Sequence, residues 1–308
     1  MGKRRGIIRP SHKAFLSAVA APEPAVSVES RIVGGTPTTI EEFPYIVAFI
    51  YFYPGPGIYV QRCVGSLISS FHVLTTAFCF TGANLNMMLI RAGSTNSMIG
   101  GTLSTINNVV KHPLYLEAPR ARDIAVTILN FPLIPSDTIQ ILFLPPQNTY
   151  IPDGTQVRVV SWGFESQQGP QLEYLKSINL NKLPLIDCQL TYLGSNNGAI
   201  YLPTLIPAVI CASQPGPTPV GMCTGDSGAP MAIDNVVVGL ASYNQGCGDD
   251  AWPDVFTRID RWVFPVLSLR NSVWRDPSHG ATELPLIQTT AVMNSTLSYS
   301  LLVCFPVL

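Results

Sequence analysis

The reactive group most open to chemistry in this chain is a hydroxyl. Ser227 stands in Cys223-Thr-Gly-Asp-Ser-Gly-Ala-Pro230, with Asp226 before it and Gly228 after it. A serine hydroxyl is a poor nucleophile until a neighbouring base takes its proton. Four histidines could serve as that base, His12, His72, His112 and His279. Taken alone, Gly-Asp-Ser-Gly reads as an ordinary turn. The other reactive residues are seven cysteines: Cys63, Cys79, Cys188, Cys211, Cys223, Cys247 and Cys304. No two show the C-x-x-C spacing of a zinc site or redox motif. Six of them lie across the body of the chain, an even set that fits structural disulfides and an oxidising compartment. Cys304, in the tail, is left over.

The elements that must position these groups are short strands. Ile46-Val-Ala-Phe-Ile-Tyr-Phe, Val73-Leu-Thr-Thr, Met88-Leu-Ile-Arg, Val157-Arg-Val-Val and Val236-Val-Val-Gly-Leu are rich in β-branched and aromatic residues. Gly, Pro, Asn and Ser clusters separate them. The 27 prolines and 24 glycines suit a β protein full of turns. The clearest helix is near the end, Ile259-Asp-Arg-Trp-Val-Phe, interrupted by Pro265. A length of 308 residues allows one large all-β domain or two smaller ones.

Charge and hydropathy exclude several function classes. The first 31 residues hold six of the basic residues and two of the acids, leaving 12 basic against 17 acidic residues in the remainder. A mildly acidic body without a basic stripe argues against nucleic-acid binding. No apolar run reaches the length of a membrane-spanning helix. The amino terminus pairs a basic stretch, Met1-Gly-Lys-Arg-Arg, with Ala14-Phe-Leu-Ser-Ala-Val-Ala-Ala21, whose Ala18 and Ala20 are spaced for cleavage. It reads as a weak secretory signal or as a mis-assigned first exon. Gly6 stands where myristoylation needs Ser or Thr. The terminal run Ser300-Leu-Leu-Val-Cys-Phe-Pro-Val-Leu308 is shorter than the apolar tail of a lipid-anchor signal.

Four segments, in order, resemble the chymotrypsin/trypsin-type serine peptidases. Arg31-Ile-Val-Gly-Gly35 resembles their activation junction, and Cys63-Val-Gly-Ser-Leu-Ile-Ser-Ser-Phe-His-Val-Leu-Thr-Thr-Ala-Phe-Cys79 the segment around their catalytic histidine. Arg122-Asp-Ile-Ala-Val126 resembles the segment of their aspartate, and Cys223–Pro230 that of their serine. Trp162-Gly163 and Pro253-Asp-Val-Phe-Thr-Arg258 add support. The resemblance covers residues 32–268. It implies an all-β, chymotrypsin-like fold: two antiparallel six-stranded β-barrels and a C-terminal helix, with the site in the cleft between barrels. Residues 1–31 are then leader and pro-segment, and 269–308 a C-terminal tail.

The resemblance also assigns roles. Ser227 is the nucleophile and Asp123 the buried acid that orients the imidazole. The N–H groups of Gly225 and Ser227 form the oxyanion hole. Asp226 receives the amine of Ile32 freed by cleavage after Arg31, a buried charge that needs a partner. The histidine is missing: aligned on Cys79, its position holds Phe78, with the family's usual spacing on both sides. Of the four histidines, His12 and His279 fall in leader and tail, His112 in a structural surface stretch, and His72 on the approaching strand facing away from the cleft. A phenyl ring accepts no proton, so the serine stays a neutral hydroxyl. In this chemistry, losing a triad member leaves only about 10³–10⁴-fold over water.

The implied substrate pocket is built from Gly221, Met222, Ser242, Tyr243, Asn244 and Asp254. Gly221 stands where trypsins carry aspartate; Asp254 faces it from the opposite wall, as in brachyurin-like proteases of arthropods, and offers a carboxylate to a basic side chain. Met222 and Asn244 narrow the pocket. Ser242-Tyr243-Asn244 is the strand that pairs with an extended peptide. The implied disulfides are Cys63–Cys79, Cys188–Cys211 and Cys223–Cys247. The segment after Arg91 lacks the acidic ligands of calcium-binding members, so no metal and no cofactor is expected. The expectation is a secreted, monomeric protease homologue that binds peptides, protease inhibitors or another protease. The alternative is an active digestive endopeptidase, which requires a proton acceptor.

Overall fold

The computed structural model describes residues 33–263 and 266, apart from 119, 165, 167, 168, 170, 172, 194–207, 218 and 250. The described residues build thirteen strands. Those of the first half are β1 Thr36–Pro37, β2 Ile46–Tyr53, β3 Ile58–Ser69, β4 His72–Thr75, β5 Met88–Ala92, β6 Thr102–Lys111 and β7 Ala125–Leu129. Those of the second half are β8 Gln156–Ser161, β9 Lys176–Lys182, β10 Val209–Ser213, β11 Pro230–Ile233, β12 Val236–Tyr243 and β13 Asp254–Arg258. All ladders between them are antiparallel.

Strands β2 to β7 close into a barrel in the order β2-β3-β4-β7-β6-β5. Strands β8 to β13 run β9-β10-β13-β12-β11-β8, and β8 pairs again with β9, so the second set also closes; β1 adds to its β9 edge. The two six-stranded barrels expected from the resemblance are present.

Side-chain alternation explains why these segments are strands. On β5, Met88, Ile90 and Ala92 are buried while Leu89 and Arg91 are half-exposed. On β8, Val157 and Val159 are buried and Gln156 and Arg158 exposed. Strand β2 does not alternate in polarity, because both faces are covered. Val47 and Phe49 join the core of the first barrel with Leu67, Val73 and Ile90. Ile46, Ala48 and Ile50 join a second core with Trp162, Leu240 and Phe256. One strand thus ties the barrels together, and its continuous apolar run is the sequence trace of that double duty.

Among the described residues three disulfides form, Cys63–Cys79, Cys188–Cys211 and Cys223–Cys247. Val266 N donates to Trp262 O at 3.1 Å, a helical bond; the rest of the C-terminal helix expected from the resemblance lies outside the described residues. A helix not expected from the sequence, α1 Leu185–Leu193, buries Cys188 and Tyr192. The Tyr192 hydroxyl donates to Pro253 O at 2.9 Å, and its ring meets Tyr243 and Trp252. Ile186, Leu190 and Leu193 of this helix are exposed. Apolar residues on both faces erase the helical period from the sequence. Among the described residues, no helix is long and apolar enough to cross a membrane.

Candidate active site

A cleft of about 560 Å³ lies between the barrels, with Phe78 and Arg120 on one wall and Gly225, Ser227, Ser242 and Asn244 on the other. Phe78 sits in a single 3₁₀ turn, Ala77–Phe80, entered directly from β4 and tied by Cys79 to Cys63 on β3. Ser227 lies in the turn before β11, and its carbonyl accepts from Val64 N of β3 at 2.9 Å. Gly228 must be glycine: it takes φ +85°, and a Cβ there would lie 2.1 Å from Val64 O.

Asp123 lies beneath Phe78 at 1% exposure. Its Oδ1 accepts from the Phe78 backbone N–H at 2.8 Å and its Oδ2 from the Ser242 hydroxyl at 2.8 Å. Its own carbonyl accepts from the Thr257 hydroxyl at 2.9 Å. Burial pushes the carboxyl up, against the opposing pull of the Arg120 guanidinium and of the Phe78 and Ser242 donors. Arg122, just before it, takes the left-handed φ of 52°. The residue expected to orient an imidazole therefore orients the backbone beneath a phenyl ring.

Arg120 covers that ring. Its Cζ stands 3.5 Å from the Phe78 centroid, a cation–π stack, and its Nη1 donates to Ser242 O. No histidine lines the cleft among the described residues. His72 is fully buried on β4, its Nδ1 2.7 Å from the Ser69 hydroxyl. His112 packs edge-on against Trp262, with ring centroids 4.4 Å apart, and its Nδ1 accepts from Leu114 N at 3.0 Å. Burial lowers its pKa.

The serine wall is held by backbone donors. Asp226, at 2% exposure, accepts from Gly163 N at 2.9 Å and from Cys223 N at 2.8 Å. Burial pushes its carboxyl up to about 6 against those two donors. Gly163 leaves room for this: a Cβ there would fall 2.0 Å from the Asp226 carboxylate. Gly225 takes φ +91°, and its carbonyl accepts from Gln61 Nε2 at 2.9 Å. Gln61 also donates to Cys63 O at 2.9 Å, and the Gln171 amide donates back to Gln61. Neither this amide clamp on the Gly225 turn nor Arg120 is expected from the sequence. A lone glutamine on a strand and a lone arginine in a loop carry no local signal; only the tertiary contact reveals them.

The expected pocket is drawn inward. Asp254 is buried at 4% exposure, accepts from Met222 N at 2.8 Å, and does not line the cleft. Burial, reinforced by the nearby Asp226, pushes its carboxyl up to about 8. The carboxylate expected to meet a basic side chain is thus buried behind Gly221 and Met222, where burial disfavours its charged form. Gly221 fits because a Cβ would lie 2.9 Å from Asp254 Oδ2. Asn244 Nδ2 crosses the mouth to donate to Met222 O at 2.9 Å and to Gly246 O. Tyr243 and Ser242 remain on the cleft wall. Arg31 and Ile32 lie outside the described residues; Val33 docks on the pocket wall, its carbonyl accepting from Gly221 N at 3.2 Å. Among the described residues, no three His, Cys, Asp or Glu side chains cluster as a metal site.

Comparison with known proteins agrees with this geometry. The trypsin family model matches residues 32–263. Alkaline trypsin C of Manduca sexta is 29% identical over 233 residues, covering 76% of this chain and 88% of that protein. Trypsin delta of Drosophila erecta is 30% identical over 238 residues, covering 75% of this chain and 85% of its own. Among solved structures, human heparin binding protein superposes with a TM-score of 0.66 at 22% identity, over 81% of this chain and all of that one, a likeness of fold.

Proposed function

The chain belongs to the trypsin family, and from that premise we propose that it is a secreted protease homologue that binds peptides, protease inhibitors or a partner protease in its cleft without cleaving them. One observation carries the reading. The family's base position holds Phe78, whose backbone occupies Asp123 and whose ring lies under Arg120. A guanidinium at that place donates protons and accepts none, so nothing there takes the proton of Ser227.

The binding half of the proposal is supported by the serine wall, where Asp226, Gly225 and their donors remain bonded. Arg31-Ile32 is proposed as an activation junction, with Asp226 as the acceptor of the freed amine. The proposed division into pro-segment, peptidase-like domain over 32–268 and tail follows from it, and a monomer in solution is proposed beside it. Three disulfides fit an oxidising, extracellular setting.

The second reading, an active endopeptidase, is favoured by the names of the relatives, which are trypsins. It needs a proton acceptor beside Ser227. The two readings separate in one assay pair. Protein cleaved after Arg31 is expected to hydrolyse neither peptide esters nor amides above background, while retaining a small protein inhibitor that presents an extended loop. Turnover on the scale of a trypsin would establish the second reading instead.

A further inference from the structure

Resting on the peptide-binding reading, we propose that the ligand of this cleft carries a carboxylate, and that Arg120 is the residue that selects it. The charge lining the cleft is one-sided. Among the described residues it holds two arginines, Arg62 and Arg120, and no aspartate or glutamate. Asp123 and Asp254 are both buried behind the walls. Arg62 is committed elsewhere, donating to Cys79 O at 3.0 Å and to Thr81 O, with its guanidinium over the Tyr51 ring.

Arg120 is placed differently. Stacking on Phe78 fixes the plane of its guanidinium. Of its five N–H donors, Nη1 goes to the carbonyl of Ser242 at the end of β12. That carbonyl belongs to the strand edge an extended peptide needs for pairing. A peptide N–H that pairs there competes with Arg120 for the Ser242 carbonyl. A ligand carboxylate offers the guanidinium a replacement partner in its preferred two-pronged geometry. A neutral ligand offers only a weaker amide or hydroxyl acceptor, and a lysine or arginine on the ligand adds like-charge repulsion. The exchange is a differential contact between free and bound states, which is what a selective ligand requires. The pocket behind adds no opposing preference, since Asn244 spans its mouth to Met222 O at 2.9 Å.

The test uses the full chain and three sets of capped hexapeptides, matched except for one glutamate, one glutamine or one lysine, with a fourth set bearing a free carboxyl terminus. Affinities are read by calorimetry. Glutamate peptides are expected to bind about tenfold more tightly than glutamine peptides, the size of one charge-assisted contact, with lysine peptides weakest. Tight binding of the free-terminus set alone would support the same Arg120 contact and assign the carboxylate to the chain end. Arg120→Gln is expected to level the series. Arg120→Lys, which keeps the charge but not the fork, is expected to leave a smaller preference, and a thermal melt checks the fold of each. Equal binding of glutamate and lysine peptides to the unaltered chain would overturn the inference and leave peptide binding standing. Binding of none of the four sets would overturn both.

Discussion

On the serine wall, Asp226 is held by two backbone N–H groups, Gly163 and Cys223. On the facing wall, Asp123 is held by one backbone N–H, Phe78, and by the Ser242 hydroxyl. The first acid braces the turn that carries Gly225 and Ser227; the second braces a turn whose side chain does no acid–base chemistry. The two acids are equally buried and comparably bonded, so their retention says nothing of catalysis. Backbone networks of this kind persist because an orphaned buried donor is costly, whereas the side chain above them is free to change. On the proposed reading, the change that matters is concentrated in one ring and the arginine that covers it.

The contrast breaks most visibly if the ring is reversed. Phe78→His alone is expected to regain little hydrolysis, because Arg120 stacks at 3.5 Å on that ring and opposes an imidazolium. Phe78→His with Arg120→Leu is expected to raise ester hydrolysis about 10²-fold or more, the range of a positioned general base. A double variant that folds and binds ligand yet stays inert would show that the serine wall has changed too, with Met222 and Asn244 the first residues to examine.

Next in size is the structural role of the facing acid. Asp123→Ala strands the Phe78 N–H, the Ser242 hydroxyl and the Arg120 charge, and is expected to cost about 3 kcal/mol in chemical denaturation. A loss under about 1 kcal/mol, as for an ordinary surface change, would contradict the bracing role. Smaller is the pH dependence of the pocket. Asp254 and Asp226 have pKa values raised by burial to about 8 and about 6 from 3.8. The folded chain then holds protons the unfolded chain has released, so stability is greatest near pH 4 and falls as pH rises toward 8. Asp254→Asn is expected to remove the larger part of that fall, of order 2 kcal/mol once relaxation tempers the nominal 1.4 kcal/mol per unit. Thermal melts at pH 4, 6 and 8 check it; a rise in stability with pH would reverse the assignment. Smallest is Ser227→Ala, expected within about 0.5 kcal/mol of the unaltered chain, since a serine without a base is a surface hydroxyl.

The fold is legible in the sequence wherever a strand has one buried face, as in β5 and β8, and wherever motifs arrive in order. Phe78 is legible because Cys79 fixes its register. Helix α1 is not, because Ile186, Leu190 and Leu193 put apolar residues on its exposed side. The role of Asp254 escapes the sequence for a different reason. Its place near Gly221 follows from the motif, but its burial and the raised pKa that burial and Asp226 cause are encoded in no local pattern. Arg120 and Gln61 act across sequence separations of 122 and 164 residues, beyond the reach of any spacing rule.

The proposed site is a Ser227 with no base beside it. The most direct measurement is the rate at which a fluorophosphonate labels Ser227, followed by intact-mass spectrometry on protein cleaved after Arg31. Labelling is expected to be slow and far from stoichiometric, and to accelerate in Phe78→His with Arg120→Leu. Rapid, stoichiometric labelling of the unaltered chain at Ser227 would contradict the account, because the hydroxyl would then have a base that Phe78 and Arg120 do not supply.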